Sequence, residues 1–251
     1  MPTYQIDKIL FLDIETVPQT AALSEMSYEL QKLWAEKFEM QRRRMPDRYP
    51  EDIDAAVAYT QEAGIYAEFG RIVCISVGLV FFREGEKYIR LKSFAGDDEK
   101  ALLLDFATLI QKTFTPDHNI CGHNIKEFDI PYIARRMLIN GVALPPVLDI
   151  AGKKPWEVKF IDTLEMWRFG DYKNYTALKL LTAVFGIPTP KDDIDGSQVA
   201  SVYYGENDVQ RIATYCEKDV LATAQLFHRF NGLPLIEEGN VEIVQIKVKR
   251  D

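Results

Sequence analysis

The apolar run Ile9-Leu10-Phe11-Leu12 has no helical spacing, and it predicts a short buried strand over Lys8–Asp13. From Ala21 to Phe69 the pattern changes. Met26, Leu30, Leu33, Trp34 and Phe38 recur at three- and four-residue steps, which places them on one face of an amphipathic helix. Pro46 and Pro50 break that pattern, and a second helix is expected over Asp52–Ala63. Arg71–Phe82 is rich in Val, Ile and Phe. With Lys87–Phe94, across the turn Glu84-Gly85-Glu86, it reads as a β-hairpin.

Further on, Asp97 or Asp98 caps a helix that buries Leu102, Leu103, Phe106, Leu109 and Ile110. His118–Gly122 and Phe160–Asp162 read as short strands. Asp129–Ile139 reads as a helix, with Pro131 tolerated in its first turn and Gly141 past its end. Thr176–Phe185 is a helix stopped by Gly186 and Pro188, and Asn207 is expected to cap a long helix reaching Phe230. Val209, Ile212, Cys216, Val220 and Phe227 mark the buried stripe of that last helix, and Val241–Val248 has the partial alternation of a strand. A meander followed by alternating strands and helices makes a mixed α/β sheet flanked by helices.

At 251 residues, with no internal repeat and no low-complexity linker, the chain is expected to form a single domain with a helical insertion over about 21–69. A net charge of −8 argues against a broadly basic nucleic-acid binder and leaves room for a local basic groove. The run Arg42-Arg43-Arg44 reads as a solvated helix face; Lys126, Lys153, Lys154, Lys173 and Lys218 are better placed for phosphates. Cys74, Cys121 and Cys216 sit in apolar contexts without C-x-x-C spacing, as buried thiols of a reducing compartment do. The first residues do not read as a signal peptide, and no apolar run approaches a bilayer span, so a cytoplasmic protein is expected.

Three short acidic motifs carry the candidate chemistry. Asp13 and Glu15 are two apart on an extended segment, so both side chains point to one side at the end of the strand. Tyr215 and Asp219, four apart on a helix, share a face beside its buried stripe. Asp129 opens a helix behind Asn124-Ile125-Lys126-Glu127-Phe128 and, taken alone, is an ordinary N-cap. Asp162 reads as a strand-end cap or a support for the site, and the acidic turn Asp192, Asp193 and Asp195 as structural. Clustered carboxylates repel one another and lose solvation, and divalent cations offset that cost.

The order Asp13-x-Glu15, Asn124-(x)4-Asp129, Tyr215-(x)3-Asp219 resembles the DEDD superfamily of 3′–5′ exonucleases. The position five residues before Asp219 is Thr214, where the histidine branch has its His, so the tyrosine branch, DEDDy, fits better. Ala63-Gly64-Ile65-Tyr66-Ala67-Glu68-Phe69-Gly70 and Lys191-Asp192-Asp193-Ile194-Asp195-Gly196 resemble stand-alone bacterial proteins related to the exonuclease domain of family B DNA polymerases. The resemblance implies an RNase H-like fold with the first motif on the first strand and the third on the last long helix. It implies two divalent cations, Mg²⁺ or Mn²⁺, held by Asp13, Glu15, Asp129 and Asp219, with Tyr215 orienting the attacking water. It makes Thr16, Asn124, Phe128 and Lys126 substrate contacts. Thr16 also reads as a turn residue, and Phe128 as a core residue. The expected reaction is two-metal hydrolysis of nucleotides from single-stranded or frayed 3′ ends, of DNA by preference, with a DNA polymerase or repair factor as a partner in trans. An RNase D-like trimming enzyme and a non-catalytic nucleic-acid-binding accessory module are the alternatives.

Overall fold

A computed structural model of the chain describes residues 4–50, 52–154, 157–188 and 194–244. Six strands form one sheet in the order β5-β4-β1-β2-β3-β6. They are β1 (Ile9–Pro18), β2 (Gly70–Arg83), β3 (Glu86–Ala95), β4 (Asn119–Gly122), β5 (Phe160–Asp162) and β6 (Val241–Val244). The first three form an antiparallel meander, β4 and β5 add parallel on one side, and β6 runs parallel to β3 on the other. This is the mixed, helix-flanked sheet expected from the sequence. The hairpin turn uses Glu84 and Gly85, both at positive φ, as a two-residue loop requires.

Alternation on β1 sorts the core into two layers. Leu10, Leu12 and Ile14 pack with α3 (Glu99–Thr113) and α4 (Asp129–Ile139). Ile9, Phe11 and Val17 face α8 (Val209–Phe230) on the other side. The expected stripe of α8, Val209, Ile212, Cys216, Val220 and Phe227, is buried throughout. Asp98 caps α3 by accepting from the Ala101 N–H at 2.9 Å.

Between β1 and β2 the chain inserts α1 (Tyr28–Arg44) and α2 (Ala55–Glu62), which close over Trp34, Phe38, Tyr49 and Tyr59. Trp34 and Phe38 are buried as the spacing predicts, but Leu33 is 45% exposed, because this two-helix cluster covers a narrower stripe than a full core face. The segment returns through Gly64 and Gly70. A Cβ at Gly70 would collide with the Tyr132 hydroxyl, which itself donates to the Gly64 carbonyl at 2.7 Å.

Several boundaries differ from expectation. α2 begins at Ala55 rather than Asp52, because the Asp54 carboxylate caps it. β2 and β3 run one residue further at each end, and β4 starts one residue later. β1 continues to Pro18 because its ladder with β2 persists to Gly70. The N-cap of α8 is Asp208, which accepts from the Arg211 N–H, while Asn207 adopts a left-handed turn before it. The helix after Thr176 is shorter, α6 (Leu178–Val184). Two further elements had no clear sequence signal. They are α5 (Thr163–Arg168) and α7 (Val199–Ser201), which widens into a π-helical turn over Val202–Glu206. Lys191, Asp192, Asp193 and the last residues of the expected strand to Val248 lie outside the described residues. No helix among the described residues is long and apolar enough to cross a membrane.

Candidate active site

Asp13 and Glu15 continue the Ile9–Phe11 face of β1 toward α8, so they sit between two apolar clusters, one around Phe11 and Val220 and one around Val17 and Ile212. They lie inside the strand rather than at its end. Directly after them the register with β2 slips. Glu15 opposes Cys74 and Thr16 opposes Ile72, which leaves Val73 as an extra residue. Such a bulge bends and twists a strand locally.

α8 supplies the opposite wall. The Cys216 thiol lies 3.4 Å from both the carbonyl oxygen and Oδ2 of Asp13, and single ligand atoms of Asp13, Glu15 and Cys216 lie within 4.8 Å of one another. Tyr215 and Asp219 lie one turn apart on the same face of α8, and the Asp219 charge bears on the Tyr215 phenol. Asp129 enters from α4. It does not act as an N-cap, since Phe128 holds that position. Instead its Oδ1 accepts the Ile14 N–H at 3.2 Å. β4 pairs with β1 only as far as Phe11, so Ile14 has no strand partner on that side, and Asp129 takes the place of one.

The five residues therefore come together from three elements that lie between 86 (Asp129 to Tyr215) and 206 (Asp13 to Asp219) positions apart in the chain. Their electrostatics follow from that meeting. Burial pushes the Asp13 carboxyl well above the usual carboxylate range, and Asp129, Asp219 and Glu15 push it further. Burial, then Asp219, does the same to Glu15. Asp129 is pushed up to about 7, chiefly by burial, with hydrogen bonds from backbone N–H groups opposing the rise. The Tyr215 phenol is raised well above 10 by burial and by Asp219, Glu15 and Asp13, so it remains a protonated donor at neutral pH.

The residues expected to contact substrate have the following places. Thr16 follows Glu15 on β1, at the register slip with β2. Asn124 holds a left-handed backbone (φ 64°) that turns the chain out of β4. Phe128 is half-buried against Tyr132, ring centroids 5.4 Å apart. Lys126 pairs with Glu165 at 2.5 Å. Asp162, 3% exposed, accepts the N–H groups of Asn124, Lys126, Leu164 and Glu165. It thus clamps the Asn124–Asp129 loop to the start of α5, the supporting part expected of it. Glu217, next to the third motif in sequence, faces away and accepts from Ser93 at 2.6 Å.

Two neighbours escaped the sequence reading. Cys216 was recognisable as a buried residue, but nothing local marks its contact with Asp13. Tyr175 sits in a loop, and only tertiary structure brings its phenol within reach of the charges of Asp129, Asp13, Asp162 and Asp219.

A helix-flanked mixed sheet on which carboxylates from three elements meet defines an α/β protein with a candidate metal centre. The family follows from the sequence itself. A profile of predicted 3′–5′ exonucleases related to the exonuclease domain of PolB matches residues 65–242, and the chain belongs to that family. The match includes the second and third acidic motifs and begins after Asp13 and Glu15. No curated protein matches the chain. Among solved structures, the family B DNA polymerase from the hyperthermophilic archaeon Pyrobaculum calidifontis aligns at 16% identity with a TM-score of 0.49, over 88% of this chain and 24% of the polymerase.

Proposed function

We propose that the protein is a divalent-metal-dependent DEDDy exonuclease that removes nucleotides from the 3′ end of single-stranded or frayed DNA. The observation that carries this reading is the convergence of Asp13, Glu15, Asp129 and Asp219 from β1, α4 and α8, where Asp129, Asp219 and Glu15 raise the proton affinity of Asp13, and Asp219 and Asp129 that of Glu15. The strongest charges acting on Asp13 all have its own sign. Such a cluster is unstable as a set of bare anions and fits a hard cation, because its donors are carboxylate oxygens. The thiol that touches Asp13, Cys216, is held protonated by burial, by Cys74 and then by Asp13 and Glu15, and so offers no thiolate.

Asp13, Glu15 and Asp219 would hold one ion and Asp13, with Asp129, a second. When bound, Mg²⁺ or Mn²⁺ acidifies water and offsets charge on the phosphate and the leaving 3′ oxygen. The chain's own groups do the positioning. Tyr215 is too weak an acid to serve as a base, and its O–H orients the attacking water from the α8 side. Asp129 is held by the Ile14 N–H. Thr16 and Asn124 border the terminal sugar, Phe128 offers a ring edge to the terminal base, and Lys126 reaches a phosphate by exchanging Glu165 for it.

Cleavage of 5′-labelled single-stranded DNA and RNA with Mg²⁺, Mn²⁺ or EDTA tests this. A ladder shortening from the 3′ end of DNA, abolished by EDTA, is the expected result, with mismatched ends cut faster than paired ones because unpairing costs a few kcal/mol. Activity that survives EDTA, or cuts only closed circles, contradicts the proposal.

A further inference from the structure

Beyond the carboxylates lies a surface that the site residues above do not include. Among the described residues five aromatic side chains are exposed, and three of them, Phe169 (83%), Tyr172 (73%) and Tyr175 (63%), fall within one seven-residue segment beside the site. That clustering sets them apart from single exposed aromatics, which need no explanation. Phe169 is turned outward by a backbone at φ 45°, a conformation non-glycine residues rarely adopt, followed by Gly170 at φ 89°.

The segment is built onto the site. His123, one residue before Asn124, bonds the Thr176 carbonyl through Nε2 at 2.8 Å and the Thr163 hydroxyl through Nδ1 at 2.9 Å. Its ring meets that of Tyr175 edge-on at 6.2 Å. Tyr175 thus stands at the carboxylate end. At the other end the Arg168 guanidinium lies 5.7 Å from the Tyr172 ring and 3.4 Å from Glu127. The Arg168 side chain is only 10% exposed, and its buried Nε has no hydrogen-bond partner among the described residues. The accessible part of the guanidinium, beside Glu127, is what a phosphate oxygen could share.

We infer that Phe169, Tyr172 and Tyr175, with Arg168 beneath them, form a stacking subsite for the single strand that leads into the carboxylate cluster. The inference deepens the exonuclease reading and rests on it for the identity of the strand. The physical need is specific. A chain of net charge −8 with an acidic site gains little long-range attraction for a polyanion. Stacking of bases on exposed rings supplies affinity without net positive charge and independently of base sequence. It also selects unpaired over paired strands, because only unpaired bases offer their faces.

The test separates binding from cleavage. A fluorescent single-stranded DNA of about 12 nucleotides, within the range such grooves cover, is titrated in EDTA against the full chain and its variants. Tyr172→Ala is expected to weaken binding about 5- to 150-fold, the loss typical of one stacked base, and Tyr172→Phe to restore it. Arg168→Ala is expected to reduce the slope of log affinity against log salt by about 0.7, the value for one phosphate contact on a single strand. Blunt duplex should bind more weakly than the single strand. Parental affinity in Tyr172→Ala, failure of the Phe variant to restore binding, equal affinity for duplex, or no strand binding by the parent would each overturn the subsite. If strand binding follows the expected pattern but no 3′ end is cut with Mg²⁺ or Mn²⁺, the exonuclease reading fails and the subsite stands. If ends are cut and Tyr172→Ala binds like the parent, the subsite alone fails.

Discussion

The carboxylate of Asp129 accepts the backbone N–H of Ile14 at 3.2 Å, from the first residue of α4 to the strand residue between Asp13 and Glu15. One bond thus sets where the fourth carboxylate lies and satisfies a buried donor that β4 leaves unpaired. Its two parts can be separated. Asp129→Asn keeps an oxygen for Ile14 and removes a charge from a repulsive cluster, so metal-free stability should hold or rise. Asp129→Ala leaves the N–H without a partner and should cost about 1–3 kcal/mol. Urea unfolding in EDTA distinguishes the two, and equal losses would show that the bond does not hold the site together.

The pH dependence of the metal-free protein should run opposite to ordinary acid denaturation. Asp and Glu titrate near ~4 in an unfolded chain, whereas burial and neighbouring carboxylates raise Asp13 and Glu15 and bring Asp129 to about 7 in the fold. The folded state therefore binds more protons between these limits. The stabilisation from these groups is present at the acid end and lost as pH rises through the folded pKa values. A divalent cation displaces those protons, so its stabilising effect should grow with pH. Melting temperatures with EDTA and with Mg²⁺ at roughly pH 5 and 8 check this, with Asp13→Asn as the comparison that removes part of the dependence. A metal-induced shift larger at the acid end would refute it.

Tyr215 and Asp219 share one face of α8 but should differ in what their loss does. Positioned proton-handling groups contribute typically ~10²–10⁴-fold to rate. A phenol that only orients water belongs at or below the bottom of that range, so Tyr215→Phe should cut single-turnover cleavage by up to about 100-fold. Asp219→Asn should abolish it and shrink metal-induced stabilisation. Two equally inactive variants that still bind metal and DNA would mean that Tyr215 does more than orient water.

Stability should depend heavily on a pair remote from the chemistry. Arg136 and Glu99 meet at 2.5 Å, with side chains only 5% and 6% exposed. Glu99 also accepts the Ile72 N–H, and Arg136 donates to the Ala67 carbonyl, so the pair ties α3 and α4 to the end of the insertion. Arg136→Met leaves a buried carboxylate uncompensated and should cost about 3–5 kcal/mol, with Glu99→Gln in the same chain recovering part of it. By contrast the exposed Lys32–Glu36 pair should contribute almost nothing. Chemical denaturation of the three variants is the measurement, and a loss below that of Lys32→Ala would contradict the argument.

What the sequence determined by itself was local. α4 spans Asp129–Ile139 and β5 spans Phe160–Asp162 as read, because Pro131, Gly141 and the apolar runs act within a few residues. The pairs Asp13 and Glu15, and Tyr215 and Asp219, could each be assigned to one face from periods of two and 3.6. Where neighbouring residues compete for one role, the local signal was ambiguous, and Asp208 rather than Asn207 caps α8. Tertiary structure alone decided the rest. The extension of β1 to Pro18 depends on a ladder with a strand beyond the insertion. The contact of Cys216 with Asp13, and the approach of Tyr175 to four carboxylates, join segments with no sequence relation. Periodicity reports which side of its own element a residue faces. Which other element waits on that side is set by packing of the whole sheet, and the raised proton affinities of the acidic cluster arise only there.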